Sequence, residues 1–135
     1  MKSSYLSLIP AVLLLLGFGL YSPANATPLT LNDLPITVTG TTGGEVSNTC
    51  GNVPGMPHLE LSLDRASSLK ISVETMADAV LWIDGPSDFC ILRDANTNQL
   101  DTSGFWPEGL YKIYVGDRLG TSFGTQLPFS MTVAQ

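Results

Sequence analysis

The sequence predicts an all-β protein, an antiparallel β-sandwich of jelly-roll-like type held by one intrachain disulfide. Three observations predict it. Hydrophobicity alternates with a period of two in segment after segment, the mark of half-buried strands rather than of helices. These segments recur about every ten residues, separated by Gly, Pro, Asn and Asp clusters, as sandwich strands and their turns do. Two cysteines, Cys50 and Cys90, stand behind an apolar amino-terminal run, which places them in an oxidising compartment.

That run comes first. Lys2 precedes an almost wholly apolar stretch over residues 6–20, and Ser22-Pro23-Ala24-Asn25-Ala26 follows as a small-x-small cleavage signal. The stretch is about 15 residues long and broken by Pro10, short of the roughly 20 that a spanning helix needs. Residues 1–26 are therefore expected to be a cleaved signal peptide rather than an anchor. Residues 27–135 form a single domain, exported to the periplasm or beyond, with no membrane span after cleavage. No Cys follows the cleavage signal to carry a lipid.

The β-branched stretch 36–39 predicts the first strand. Leu59, Leu61 and Leu63 alternate with polar residues and predict the next, with His58 at its start on the polar face. Leu69, Ile71 and Val73 predict a third. Residues 79–83 are apolar on both faces, as a central strand is, and turn through residues 84–88 into 89–92. Tyr111, Ile113 and Val115 mark another strand, and Leu127, Phe129, Met131 and Val133 the last, with Pro128 at a strand start or on an edge. Residues 40–44, 51–57 and 94–104 read as loops. Phe105, Trp106 and Pro107 are expected to plug one end of the sandwich. If Cys50 and Cys90 pair, they close a forty-residue loop and contribute roughly 3–4 kcal/mol; two buried thiols are the alternative, which export disfavours.

Six basic residues stand against twelve acidic ones, for a net charge of −6, and loss of Lys2 makes the balance more negative. This excludes nucleic acid and anionic membrane surfaces as natural partners.

The ordered features also resemble a known family. A Gly-Thr-rich segment, Gly40-Thr41-Thr42-Gly43-Gly44, precedes Cys50 and an alternating Leu strand after Pro57. Asp78-Ala79-Val80-Leu81-Trp82-Ile83-Asp84-Gly85-Pro86, Cys90, an acidic and Asn-rich loop, and Gly109-Leu110-Tyr111-Lys112-Ile113-Tyr114-Val115-Gly116 follow. The set is similar to the bacterial pre-peptidase C-terminal domain in its stand-alone secreted, cyanobacterial-type version. The resemblance implies a sandwich without catalysis of its own. Relatives in clostridial collagenases bind collagen and calcium. Their acidic linker is matched here at most by Asn32-Asp33, so collagen binding does not carry over.

Candidate chemistry is sparse. A Ser-His-Asp hydrolase needs a nucleophile and a carboxylate around the one histidine, His58, which reads instead as a solvated strand-edge residue. Two Cys and one His do not make a zinc site. Asp94, Asn96 and Asn98 place oxygen ligands on alternate residues, and Asp101 could complete a calcium site, though Gln99 stands where a calcium-loop glycine belongs. A plain Asx-rich connection is the alternative. Trp82 and Tyr114 are the candidate ligand-binding surface. The expectation is a non-enzymatic accessory or binding module, requiring no cofactor beyond a structural calcium, and taking a polysaccharide or another secreted or envelope protein. The alternatives are a propeptide-like partner of a secreted peptidase and a small hydrolase.

Overall fold

A computed structural model describes residues 27–94, 96–118 and 126–135. The expected signal peptide, residues 1–26, lies outside the described residues, as does Ala95 within the candidate calcium loop. Among the described residues there are ten strands: β1 Ile36–Thr41, β2 Val46–Ser47, β3 Asn52–Val53, β4 Leu59–Leu63, β5 Ser67–Thr75, β6 Ala79–Asp84, β7 Phe89–Leu92, β8 Gln99–Trp106, β9 Gly109–Asp117 and β10 Pro128–Ala134. They form a four-stranded sheet, β1-β10-β5-β8, and a six-stranded sheet, β2-β3-β9-β6-β7 with β4 also on β9. Every strand pair is antiparallel. A parallel bridge from Leu29 to Leu61 ties the start of the domain to the free side of β4.

Alternation decides which side chains go inside. Leu69, Ile71 and Val73 of β5 and Met131 and Val133 of β10 face Leu61 and Leu63 of β4, Leu81 and Ile83 of β6, and Ile113 and Val115 of β9 in one core. Each such burial contributes about 1.5–3 kcal/mol. Pro128 opens β10, where its missing N–H costs least.

Two loop expectations are corrected. Residues 94–104 are only half loop, because Gln99 to Trp106 pairs with β5 along its whole length. The connection 51–57 holds the short β3. The end plug is also corrected in part. Trp106 is buried and packs on Tyr111 at 4.8 Å and on Phe89 at 5.3 Å, whereas Phe105 is 71% exposed. Strand parity explains the difference, since neighbours on a strand face opposite ways.

Tyr111 locks that end. Its ring is fully buried and its hydroxyl donates to the Pro107 carbonyl at 2.6 Å. Tyr111→Phe keeps the ring and loses the bond. Urea unfolding is expected to show a loss of about 1 kcal/mol with an unchanged slope.

Candidate functional site

The outer face of the β9 sheet carries the chemistry. In β4, β6 and β9 the odd-numbered residues fill the core, so the even-numbered ones face outward. Register then builds rows across the strands. Glu60, Lys112 and Asp84 form one, with Lys112 opposite both carboxylates. Tyr114, Trp82 and Cys90 form the next. Trp82 is half-buried and rests on Tyr114, ring centres 4.6 Å apart at 34°. Tyr114 is only 8% exposed, so the aromatic surface offered to a ligand is Trp82, with Tyr114 beneath it. Burial pushes the Tyr114 hydroxyl above its ordinary pKa, and the negative field of Asp84 and Glu60 adds to this.

Beyond this row a strap crosses the face. Cys50 and Cys90 are bonded, with Cα atoms 5.6 Å apart. Cys50 lies at the tip of the β2–β3 hairpin, where the Asn48 side-chain oxygen accepts the Cys50 and Gly51 N–H groups. Cys90 lies on β7, so the bond pulls the tip across β6. Val80, an outward residue, is thereby fully buried. Contact is close enough that a Cβ at Gly51 would strike the Asp117 carbonyl, and one at Gly116 the Asn52 carbonyl. The strap borders the Trp82 row and fixes its upper edge.

His58 departs from the expectation of a solvated strand-edge residue. Along one side of β9, β4 pairs up to Ile113 and β3 begins again at Asp117, leaving a gap at Val115. The half-buried imidazole fills it. Nδ1 accepts the Val115 N–H at 3.1 Å, the ring meets Phe129 edge-on at 4.8 Å, and the Thr41 backbone lies near enough to favour the charged ring. Desolvation holds its pKa below the ordinary value, the Thr41 backbone opposing only in part. With its Nδ1 lone pair taken up by a backbone N–H, the neutral imidazole has none left to offer as a general base.

The candidate calcium residues are placed as follows. Asp94 accepts the Asn96 N–H at 3.0 Å in an Asx turn, and the Asn98 side-chain oxygen takes an Arg93 N–H at 3.4 Å. Asp101 is not in the loop; it sits on β8 opposite Ser72. Among the described residues no group of three His, Cys, Asp or Glu side chains is placed to hold a metal. Also among them, no helix is long and apolar enough to cross a membrane.

The sequence did not single out Glu60, Asp84 or Lys112 as a set. They lie on three strands, and only the register of β4 and β6 against β9 joins them.

No known family profile matches the chain. A solved structure with a similar fold is the pre-peptidase C-terminal domain of a collagenase from Bacillus anthracis, at a TM-score of 0.54 and 16% identity, covering 84% of this chain and 98% of that one. The likeness is one of fold, an antiparallel β-sandwich. An uncharacterized protein of Synechococcus elongatus is 34% identical over 99 residues, which span 69% of this chain and 73% of that protein. The chain belongs to the same family as this Synechococcus protein, and its fold is that of a pre-peptidase C-terminal domain.

Proposed function

We propose that the protein is an exported, non-catalytic binding module that takes a neutral polysaccharide chain on the outer face of the β9 sheet. The observation that carries this reading is the half-open Trp82, set on Tyr114 and bordered by Glu60, Lys112 and Asp84. An aromatic face stacks on the C–H face of a sugar ring, while carboxylates and an ammonium bond its hydroxyls. The acidic balance of the chain disfavours anionic polymers. The engagement of the His58 Nδ1 by the Val115 N–H supports a role without catalysis. The disulfide and the fold support export.

Titration with neutral oligosaccharides, read by tryptophan fluorescence, tests the reading. Trp106 is buried, so a ligand-dependent change reports on Trp82. Trp82→Ala is expected to weaken binding at least tenfold, about 1.4 kcal/mol. The paired change Glu60→Gln and Asp84→Asn should weaken it with the fold intact. A calcium arm in the same titration tests Asp94, Asn96, Asn98 and Asp101; a rise in Tm that Asp94→Ala abolishes would add a structural ion to the module. Silence toward every neutral glycan at millimolar concentration would overturn the polysaccharide reading and favour a secreted protein partner.

A further inference from the structure

A long unpaired strand edge lies on the opposite sheet. β8 ends the order β1-β10-β5-β8, and among the described residues no strand pairs with its far side. Unpaired edges invite another strand, and proteins ordinarily blunt them with Pro, Lys or brevity. In the other sheet the ends are short or met by another segment: β2 has two residues, β7 four, and Leu29 bridges the free side of β4. β1, at the opposite end of this sheet, has six residues, two fewer than β8. β8 runs for eight residues, Gln-Leu-Asp-Thr-Ser-Gly-Phe-Trp, with Asp101 its one charge and no Pro, Lys or Arg. Phe105 on it is 71% exposed, and a Cβ built at Gly104 would meet nothing within 4 Å.

We infer that β8 pairs antiparallel with β8 of a second copy about a two-fold axis at Gly104, joining two four-stranded sheets into one. The strand is self-complementary in this register. Phe105 stands opposite Ser103 of the partner copy, and the two Phe105 rings meet diagonally across the seam, within aromatic reach. Asp101 falls opposite Pro107 of the partner copy, outside the ladder, so the strand's only charge never faces itself. A foreign extended peptide would fill the same backbone groups, but the symmetric register covers Phe105 and spares Asp101 with no further sequence needed. The contact is small and belongs with weak interfaces. The net charge of −6 on each copy opposes it, so screening should tighten the pair as salt rises.

Sedimentation equilibrium of the disulfide-bonded protein from micromolar to millimolar concentration tests the pairing. The expected result is a monomer–dimer equilibrium that strengthens from low to high salt. Phe105→Lys should shift it to monomer and leave the Tm of the dilute monomer unchanged, because that side chain lies in solvent there. Gly104→Cys should crosslink two copies, since facing Cα atoms in an antiparallel pair are about 4.5–5.5 Å apart, within disulfide range. Gln99→Cys lies off the ladder in this register and should not crosslink. A wild-type protein that stays monomeric at millimolar concentration would overturn the inference. A dimer that survives Phe105→Lys, or equal crosslinking through Gln99→Cys, would do the same.

Discussion

Reduction of the Cys50–Cys90 bond, or Cys50→Ser with Cys90→Ser, is expected to lower stability by about 3–4 kcal/mol through the regained freedom of the unfolded chain. The bond spans a sequence separation of 40. For a domain of this size each kcal/mol moves Tm by about 4–8 °C, so the melt should fall by on the order of 12–32 °C. The loss should have a local component too. The strap is held by little else: Val46 and Ser47 pair with Val53 and Asn52, and Asn52 alone pairs with β9. Once the tip is free, Val80 loses its cover and the edge of the Trp82 row loosens. Hydrogen exchange should therefore rise first in residues 46–53 and around Val80, before β5 and β10 respond. Thermal melts with and without reductant, joined to exchange mass spectrometry, read both effects. A reduced protein with unchanged Tm would show that the strap is held by packing alone.

The same separation of strap and core explains which parts of the fold were legible in the sequence. β5 and β10 announce themselves because every second residue is a large apolar one, and their partners on both sides demand it. β8 is different. As an edge strand it sends only Leu100 and Trp106 fully into the core, with Thr102 and Gly104 between them, so its alternation is lost among polar residues. Its pairing comes from β5, which no local pattern reveals. β2 and β3 are two residues each, too short for any period. Trp82 was legible as an outward residue because Leu81 and Ile83 had to face in. The cover over Tyr114, and the meeting of Glu60, Lys112 and Asp84, depend on register between strands far apart in sequence. Asp94 and Asn96 stand out in the sequence as alternate oxygen-bearing side chains, and in the structure the hydrogen bond between them closes a turn.

His58 is where that long-range dependence has its largest consequence. His58→Ala is expected to cost about 1–3 kcal/mol, because it leaves the Val115 N–H without its partner in the gap between β3 and β4. His58→Gln should recover part of the loss, since an amide offers both an acceptor and a donor. The wild type should also lose stability on mild acidification. Burial holds the folded imidazole below its ordinary value of 6.5, while in the unfolded chain it titrates normally. Above that value both states are neutral and the contribution is complete. As pH falls past it, the unfolded state takes up a proton that the folded state resists, and stability drops until the folded imidazole is protonated as well. Protonation at Nδ1 also removes the acceptor for Val115. Asp117 works in the opposite sense at lower pH. Burial raises its carboxyl above 3.8, with Asp78 adding to the rise and the Thr42 hydroxyl opposing it, so the folded state gains that proton first and is stabilised by it. Urea midpoints followed downward from pH 7.5 should slope in the wild type and be nearly flat in His58→Ala until the carboxylates begin to titrate. Equal slopes in the two proteins would mean that the imidazole is solvated and does not bridge the two sheets.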